Sequence, residues 1–127
     1  MKKTMNKDFL EKENDIHGSS HVKCIHCECK LLHQFKVEVF FRKEDNINGL
    51  HAIIDESGIE KNIKKNNQVY NPSSRRNGII IHFYCEHCKK VSLLHIVQHK
   101  GCTYIDASTV KEYKSFVEEN IKEMKDD

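Results

Sequence analysis

The chain has no tryptophan, a single proline and only five glycines. Glycine this sparse excludes a phosphate-cradling loop and a dinucleotide-binding fingerprint, both of which need glycines at short fixed spacing. No stretch is apolar for long enough to cross a bilayer. The opening Met1-Lys2-Lys3-Thr4-Met5-Asn6-Lys7-Asp8 leads into no apolar run of the kind a signal peptide carries. These absences set the expectation of a cytoplasmic protein without a membrane segment. No small-molecule substrate is evident, and no nucleophile stands beside a base in a pattern that names a reaction. Asp55-Glu56 with His51 is the nearest approach to a metal-dependent nuclease or hydrolase. Acidic pairs at strand ends usually just terminate strands, so the expectation leans away from an enzyme.

What the chain does have is cysteine in pairs. Its 127 residues are 38% apolar with a mean hydropathy of -0.68, which suits one domain with a modest core that a staple would help. Six cysteines in a reducing compartment read as metal ligands rather than disulfides. Cys24-Ile25-His26-Cys27 and Cys85-Glu86-His87-Cys88 each place two thiols at a spacing that lets both sulfurs reach one ion. Together they make the closed tetrahedral set of a structural zinc site, with no open position for a substrate. Iron held by the same four sulfurs is the alternative. Cys29 extends the first cluster to Cys-x-x-Cys-x-Cys and can stand in for Cys27. Cys102, beyond the second pair, reads as a buried small hydrophobe.

Periodicity organises the rest. Residues 1–20 are polar, with Met5, Phe9 and Leu10 able to form one face of a short helix, and read as a flexible arm or marginal helix. Residues 21–107 form the β domain, with an insert over 42–78. In 33–41, Phe35, Val37, Val39 and Phe41 alternate with Gln34, Lys36 and Glu38, the pattern of a half-buried strand. A second strand spans 50–54, a central apolar strand 79–84, a returning strand 90–98, and a further one begins at Cys102. A hairpin centred on the second cysteine pair sets His82 opposite Val91. His95 and His99 lie on one strand ~13 Å apart, too far for a shared ion. The nine histidines therefore read chiefly as surface or interfacial groups. Thr109-Val110-Lys111-Glu112 matches a capping box, and Val110, Tyr113, Val117, Ile121 and Met124 recur at helical spacing behind it. Residues 108–127 thus form a C-terminal helix packed on the sheet. The fold class expected is α+β: an antiparallel sheet of four or five strands, a four-cysteine zinc-ribbon core, a long insert and one helix. A treble clef, with the second pair opening a helix, is the runner-up.

Cysteine pairs at hairpin tips resemble the zinc-ribbon family, over roughly residues 22–41 and 79–105. The resemblance implies a structural Zn2+ held by Cys24, Cys27, Cys85 and Cys88. This chain departs from the ribbon pattern in one respect: 57 residues separate Cys27 from Cys85, where ribbons commonly have ~15–20. The stretch Asn71-Pro72-Ser73-Ser74-Arg75-Arg76-Asn77-Gly78, followed by the second pair and His99-Lys100-Gly101, also resembles small bacterial zinc-ribbon proteins of mobile genetic elements.

Charge suggests where a partner would touch. The formal net charge is +2, and four thiolates with one Zn2+ bring it near zero. Bulk charge therefore argues weakly for nucleic acid. Distribution argues more: Lys61, Lys64, Lys65, Arg75 and Arg76 lie in a stretch with no acid between Glu60 and Glu86. With Ser73, Ser74 and nearby asparagines they form a kit for phosphate oxygens, which Lys89, Lys90 and Lys100 would extend if the hairpin lay beside them. No aromatic run offers a base-stacking platform. The resulting expectation is a structural-zinc binding module, an adaptor contacting a protein or nucleic-acid partner through its knuckles and basic loop. A nucleic-acid-binding accessory or regulatory protein of a mobile element is the alternative.

Overall fold

The computed structural model describes residues 9–12 and 20–125. Its eight strands are β1 (Leu10–Lys12), β2 (Ser20–Val22), β3 (Leu32–Phe41), β4 (Leu50–Asp55), β5 (Gly58–Asn62), β6 (Gly78–Cys85), β7 (Val91–His99) and β8 (Cys102–Thr109), followed by helix α1 (Val110–Lys125). A short 3-10 turn spans Asn67–Tyr70. The architecture is α+β. Strands β5-β4-β3-β6-β7-β8 form one antiparallel six-stranded sheet, and β1 pairs with β2 separately. The sheet is one strand wider than the sequence suggests, because Gly58–Asn62 returns along β4 through the Asp55–Gly58 turn. The start of the chain also differs. Leu10–Lys12 is a strand rather than part of a helix, while Met5 lies outside the described residues. The helix forms as its capping box directs. The Thr109 N–H donates to Glu112 Oε1 (2.8 Å), and the Glu112 N–H donates to Thr109 Oγ1 (3.0 Å).

Helix α1 lies on the sheet face that carries Phe40, Ile80 and Leu93, and Val110 and Tyr113 pack against these three. Burying side chains of this size is worth about 1.5–3 kcal/mol each. The alternation in β3 therefore runs opposite to the sequence expectation. Phe40 is fully buried, Phe41 is half-exposed, and Glu38 points under the helix. A bulge between Gln34 and Lys36 adds to the difference by turning Phe35 to the same side as His82. Central strands are apolar on both faces, so period-2 patterning cannot choose which face the helix covers. On the opposite face, Ile25 and Phe9 cover Ala107 at one corner. Elsewhere on that face Ile54 is 40% and Ile105 53% exposed.

Three histidines read from sequence as surface groups are buried beneath this layer. His51 donates to Glu38 Oε1 (2.8 Å) and His82 to Glu38 Oε2 (2.6 Å). Burial opposes the Glu38 charge, but the two imidazole donors outweigh it and hold its pKa at about 2. His82 pairs with Leu93, not Val91, because the ladder begins at Tyr84–Val91 and leaves Cys85–Lys90 as the connection. His95 bonds Ser108 Oγ through Nε2 (2.7 Å) and leaves Nδ1 buried without a partner.

Burial, aided by the nearby His82, pushes the His95 pKa down to about 4. The fold thus holds His95 neutral. Its contribution to stability is complete above pH ~6.5 and is lost as pH falls toward 4. Melting followed by circular dichroism should show a drop between pH 7 and pH 5 that is shallower in His95→Gln. Equal pH slopes in the two chains would refute this assignment.

Candidate metal centre

The two cysteine pairs fold into the same turn. In the first, the Glu28 N–H donates to the Cys24 carbonyl (2.8 Å) and the Cys24 N–H to the Cys29 carbonyl (2.8 Å). In the second, the Lys89 N–H donates to the Cys85 carbonyl (3.0 Å) and the Cys85 N–H to the Lys90 carbonyl (3.0 Å). Glu28 and Lys89 occupy equivalent left-handed positions, with φ of 65° and 64°. Each costs roughly 1–2 kcal/mol for a residue that is not glycine. These bends turn both sulfurs of a pair inward while aiming N–H groups at them. The His26 N–H lies 3.3 Å from Cys24 Sγ and the Cys88 N–H 3.5 Å from Cys85 Sγ.

Sheet pairing then brings the two turns together. Leu32 stands opposite Cys85 in the β3–β6 ladder, and the Glu86 N–H donates to the Leu31 carbonyl. The first turn is tied to β7, where the Ile25 N–H reaches Ser92 Oγ (3.4 Å) and His26 Nε2 donates to the Val91 carbonyl (3.0 Å). All four sulfurs of Cys24, Cys27, Cys85 and Cys88 lie within 4.8 Å of one another. Two cross-turn pairs, Cys24–Cys88 and Cys27–Cys85, are each separated by 3.6 Å. A tetrahedron of thiolates about an ion with bonds of about 2.3 Å needs an edge of about 3.8 Å. The donor set therefore fits a metal ion with little rearrangement.

Without an ion the four thiols cannot all ionise together. Burial opposes the Cys85 thiolate, yet the Cys88 and His87 N–H groups and the neighbouring sulfurs bring its pKa down to about 6. Cys24 shifts down in the same way: burial resists, and the Cys27 and His26 N–H groups with the Ser92 hydroxyl prevail. At Cys27 the Cys29 N–H favours the thiolate, but burial and the three other cluster cysteines push it up to about 12. Cys88 is raised by burial first and by Cys24 and Cys85 next. Such a set of mutually opposed thiolates is resolved by a divalent cation at its centre.

Cys29 is not among the converging sulfurs and occupies the turn position that Lys90 fills in the second pair. Cys102 is exposed, not buried, because it opens β8 at the Lys100-Gly101 turn. No helix follows the second pair; β7 does, which removes the treble clef.

The basic residues do not assemble as the sequence suggests. Arg75 is engaged by Asp45 (Nε to Oδ1, 2.8 Å) and Glu44 (2.7 Å), and Arg76 lies 3.4 Å from Glu44. The missing acids thus come from the β3–β4 connection, distant in sequence. The Arg75–Asp45 contact raises the Arg75 pKa and lowers that of Asp45. Ser73, assigned to the phosphate kit, is buried: its hydroxyl donates to the Gln98 carbonyl (2.7 Å) and accepts the Arg76 N–H (3.0 Å). Asn71, fully buried, bonds Gln68 Oε1 (2.9 Å), the Arg76 carbonyl (2.7 Å) and the Ser73 N–H (2.8 Å). Arg42, unremarked in the sequence, braces this segment by donating to the Ser73 carbonyl (2.6 Å) and the Arg76 carbonyl (3.0 Å). Gly78 sits so tightly here that a Cβ would fall on Asn71 Oδ1. The segment is a polar plug holding the far end of the sheet.

Lys89 and Lys90 are exposed beside the second cysteine pair, at the opposite end of β6. Eight residues of strand, roughly 23 Å, separate them from Arg76 and Gly78. Lys64 and Lys65 are exposed after β5, and Lys61 is on β5, the outermost strand. Among the described residues no helix is long and apolar enough to cross a membrane. No protein-family model, curated protein or solved structure matches the chain. The zinc-ribbon resemblance therefore rests on the four cysteines and their twin turns.

Replacing Cys85 with Ser should abolish the capacity of the four-cysteine cluster to hold a metal ion. Binding energies of structural zinc in finger peptides are on the order of 10 kcal/mol, comparable to the whole stability of a small domain. The variant is expected to lose cooperative unfolding, measured by thermal melts, and its metal, measured by elemental analysis. Unchanged melting and metal content would remove Cys85 from the ligand set.

Proposed function

We propose that this chain is a non-catalytic adaptor, stapled by one structural zinc ion, that offers the knuckle end of its sheet to a protein partner. The closed arrangement of Cys24, Cys27, Cys85 and Cys88 carries the proposal. Four thiolates fill a tetrahedral ion and leave no position for a substrate or a reactive water. Zinc is the ion such structural sites take. It supplies charge neutralisation and a rigid centre, and the residues of the chain do the rest. The two turns expose Glu28, Lys30, Leu31, Glu86, His87, Lys89 and Lys90 around the site. Mixed charge with apolar Leu31, 53% exposed, suits a protein surface better than a phosphate backbone. The engagement of Arg75 and Arg76 by Glu44 and Asp45 supports the same preference.

Purified protein should contain one equivalent of zinc and be colourless; iron in the same thiolate cage would give strong visible absorption. A labelled 30-nucleotide single strand and a matching duplex should both fail to bind at 50 mM salt. Binding that weakens steeply with salt, and that Lys89→Ala with Lys90→Ala reduces, would replace the adaptor reading with that of a nucleic-acid-binding accessory protein.

A further inference from the structure

Strand β3 outruns its neighbour. It pairs with β6 from Leu32 onward, but with β4 only from Lys36 to Phe41. Beyond Lys36–Asp55 the chain of β4 turns away through Asp55–Gly58. Among the described residues, Leu32–Phe35 therefore has a strand on one side only, inside the outline of the sheet. Alternate residues of a strand direct their N–H and C=O groups to each side; the Leu32 N–H is taken by the Lys30 carbonyl (3.0 Å), and the outward groups that remain, at Gln34 and the bulge beside it, face the notch.

A cleft of about 550 Å³ lies in the same place, lined by Gln34, Phe35, Lys36 and Val37 of β3 and by Ile54 to Ser57. Of the lining rings and aliphatics, Phe35 is 44% exposed on the helix side of the sheet and Ile54 40% exposed on the other. Its charge is uneven. Lys36 stands opposite Asp55, and Glu56 also lines the cleft; neither acid is ion-paired among the described residues, whereas Glu44 and Asp45 are taken up by arginines.

We infer that this notch is a strand-addition site for an extended peptide of a partner protein, one that places an apolar residue on Phe35 and a Lys or Arg against Asp55 and Glu56. The main chain of Leu32–Phe35 supplies the pairing, over about four residues or ~13 Å. The site stands at the knuckle end, since Leu32 is opposite Cys85. The inference thus deepens the adaptor reading and rests on it, and the metal ion sets its geometry without touching the peptide.

The test uses the intact zinc-loaded chain and a pool of capped octapeptides that carry a Lys or Arg two residues away from a Val, Ile, Leu or Phe, so that both side chains lie on one face of the added strand. Amide hydrogen exchange should slow about tenfold or more at Leu32–Phe35 on addition of the pool. A pool N-methylated on alternate backbone nitrogens should lose this protection. Asp55→Asn with Glu56→Gln, both conservative and exposed, should weaken binding about fivefold at unchanged zinc content. No protection at Leu32–Phe35, equal binding of the methylated pool, or protection appearing only at β5 or β8 would each overturn the notch. Those results leave intact zinc content and the failure to bind nucleic acid, on which the adaptor reading stands separately.

Discussion

Four sulfurs from two turns, 57 residues apart in sequence, converge to within 4.8 Å of one another. Everything else in the molecule is arranged so that they can. Closing a loop of that length costs about 3–4 kcal/mol of chain entropy, and the β3–β6 ladder is the device that brings its ends together. The dependence runs both ways. Leu32 opposite Cys85 aligns the turns, and an ion held by all four sulfurs would in turn fix the ladder's end. The rest of the insert then adds strands outward from this junction, as β4 and β5, and contributes no sulfur to the cluster.

Local signals were legible where chemistry leaves few options. The cysteine pairs, the capping box of Thr109 and Glu112, and the strand-knuckle-strand run through β6 and β7 all stand in the structure as the residues imply. Long-range facts were not legible. Nothing near Arg75 in the sequence shows that Asp45 will meet it, and nothing in Phe35-to-Phe41 shows that a bulge will redirect the first ring. Glu38 is the sharpest case. An acid in an alternating strand reads as solvent-facing, and only two histidines from other strands make its burial tolerable.

The segment richest in basic and amide side chains turns out to be architectural. Asn71, Gln68, Ser73 and Arg42 satisfy one another and the surrounding main chain, so that an irregular stretch can be buried without orphaned donors. Composition alone cannot separate such a plug from a ligand-binding loop, because both need the same polar groups. What distinguishes them is where the hydrogen bonds end, here almost wholly within the fold.

The order of the ligands along the chain has a consequence at the ribosome. Cys24 and Cys27 are made first, and at ~5–20 residues per second about 3–12 s pass before Cys85 is added. During that interval a nascent thiol pair has no partner pair. A tetrahedral site cannot close until the second pair emerges, so any ion this protein takes up in full must be acquired late in its synthesis.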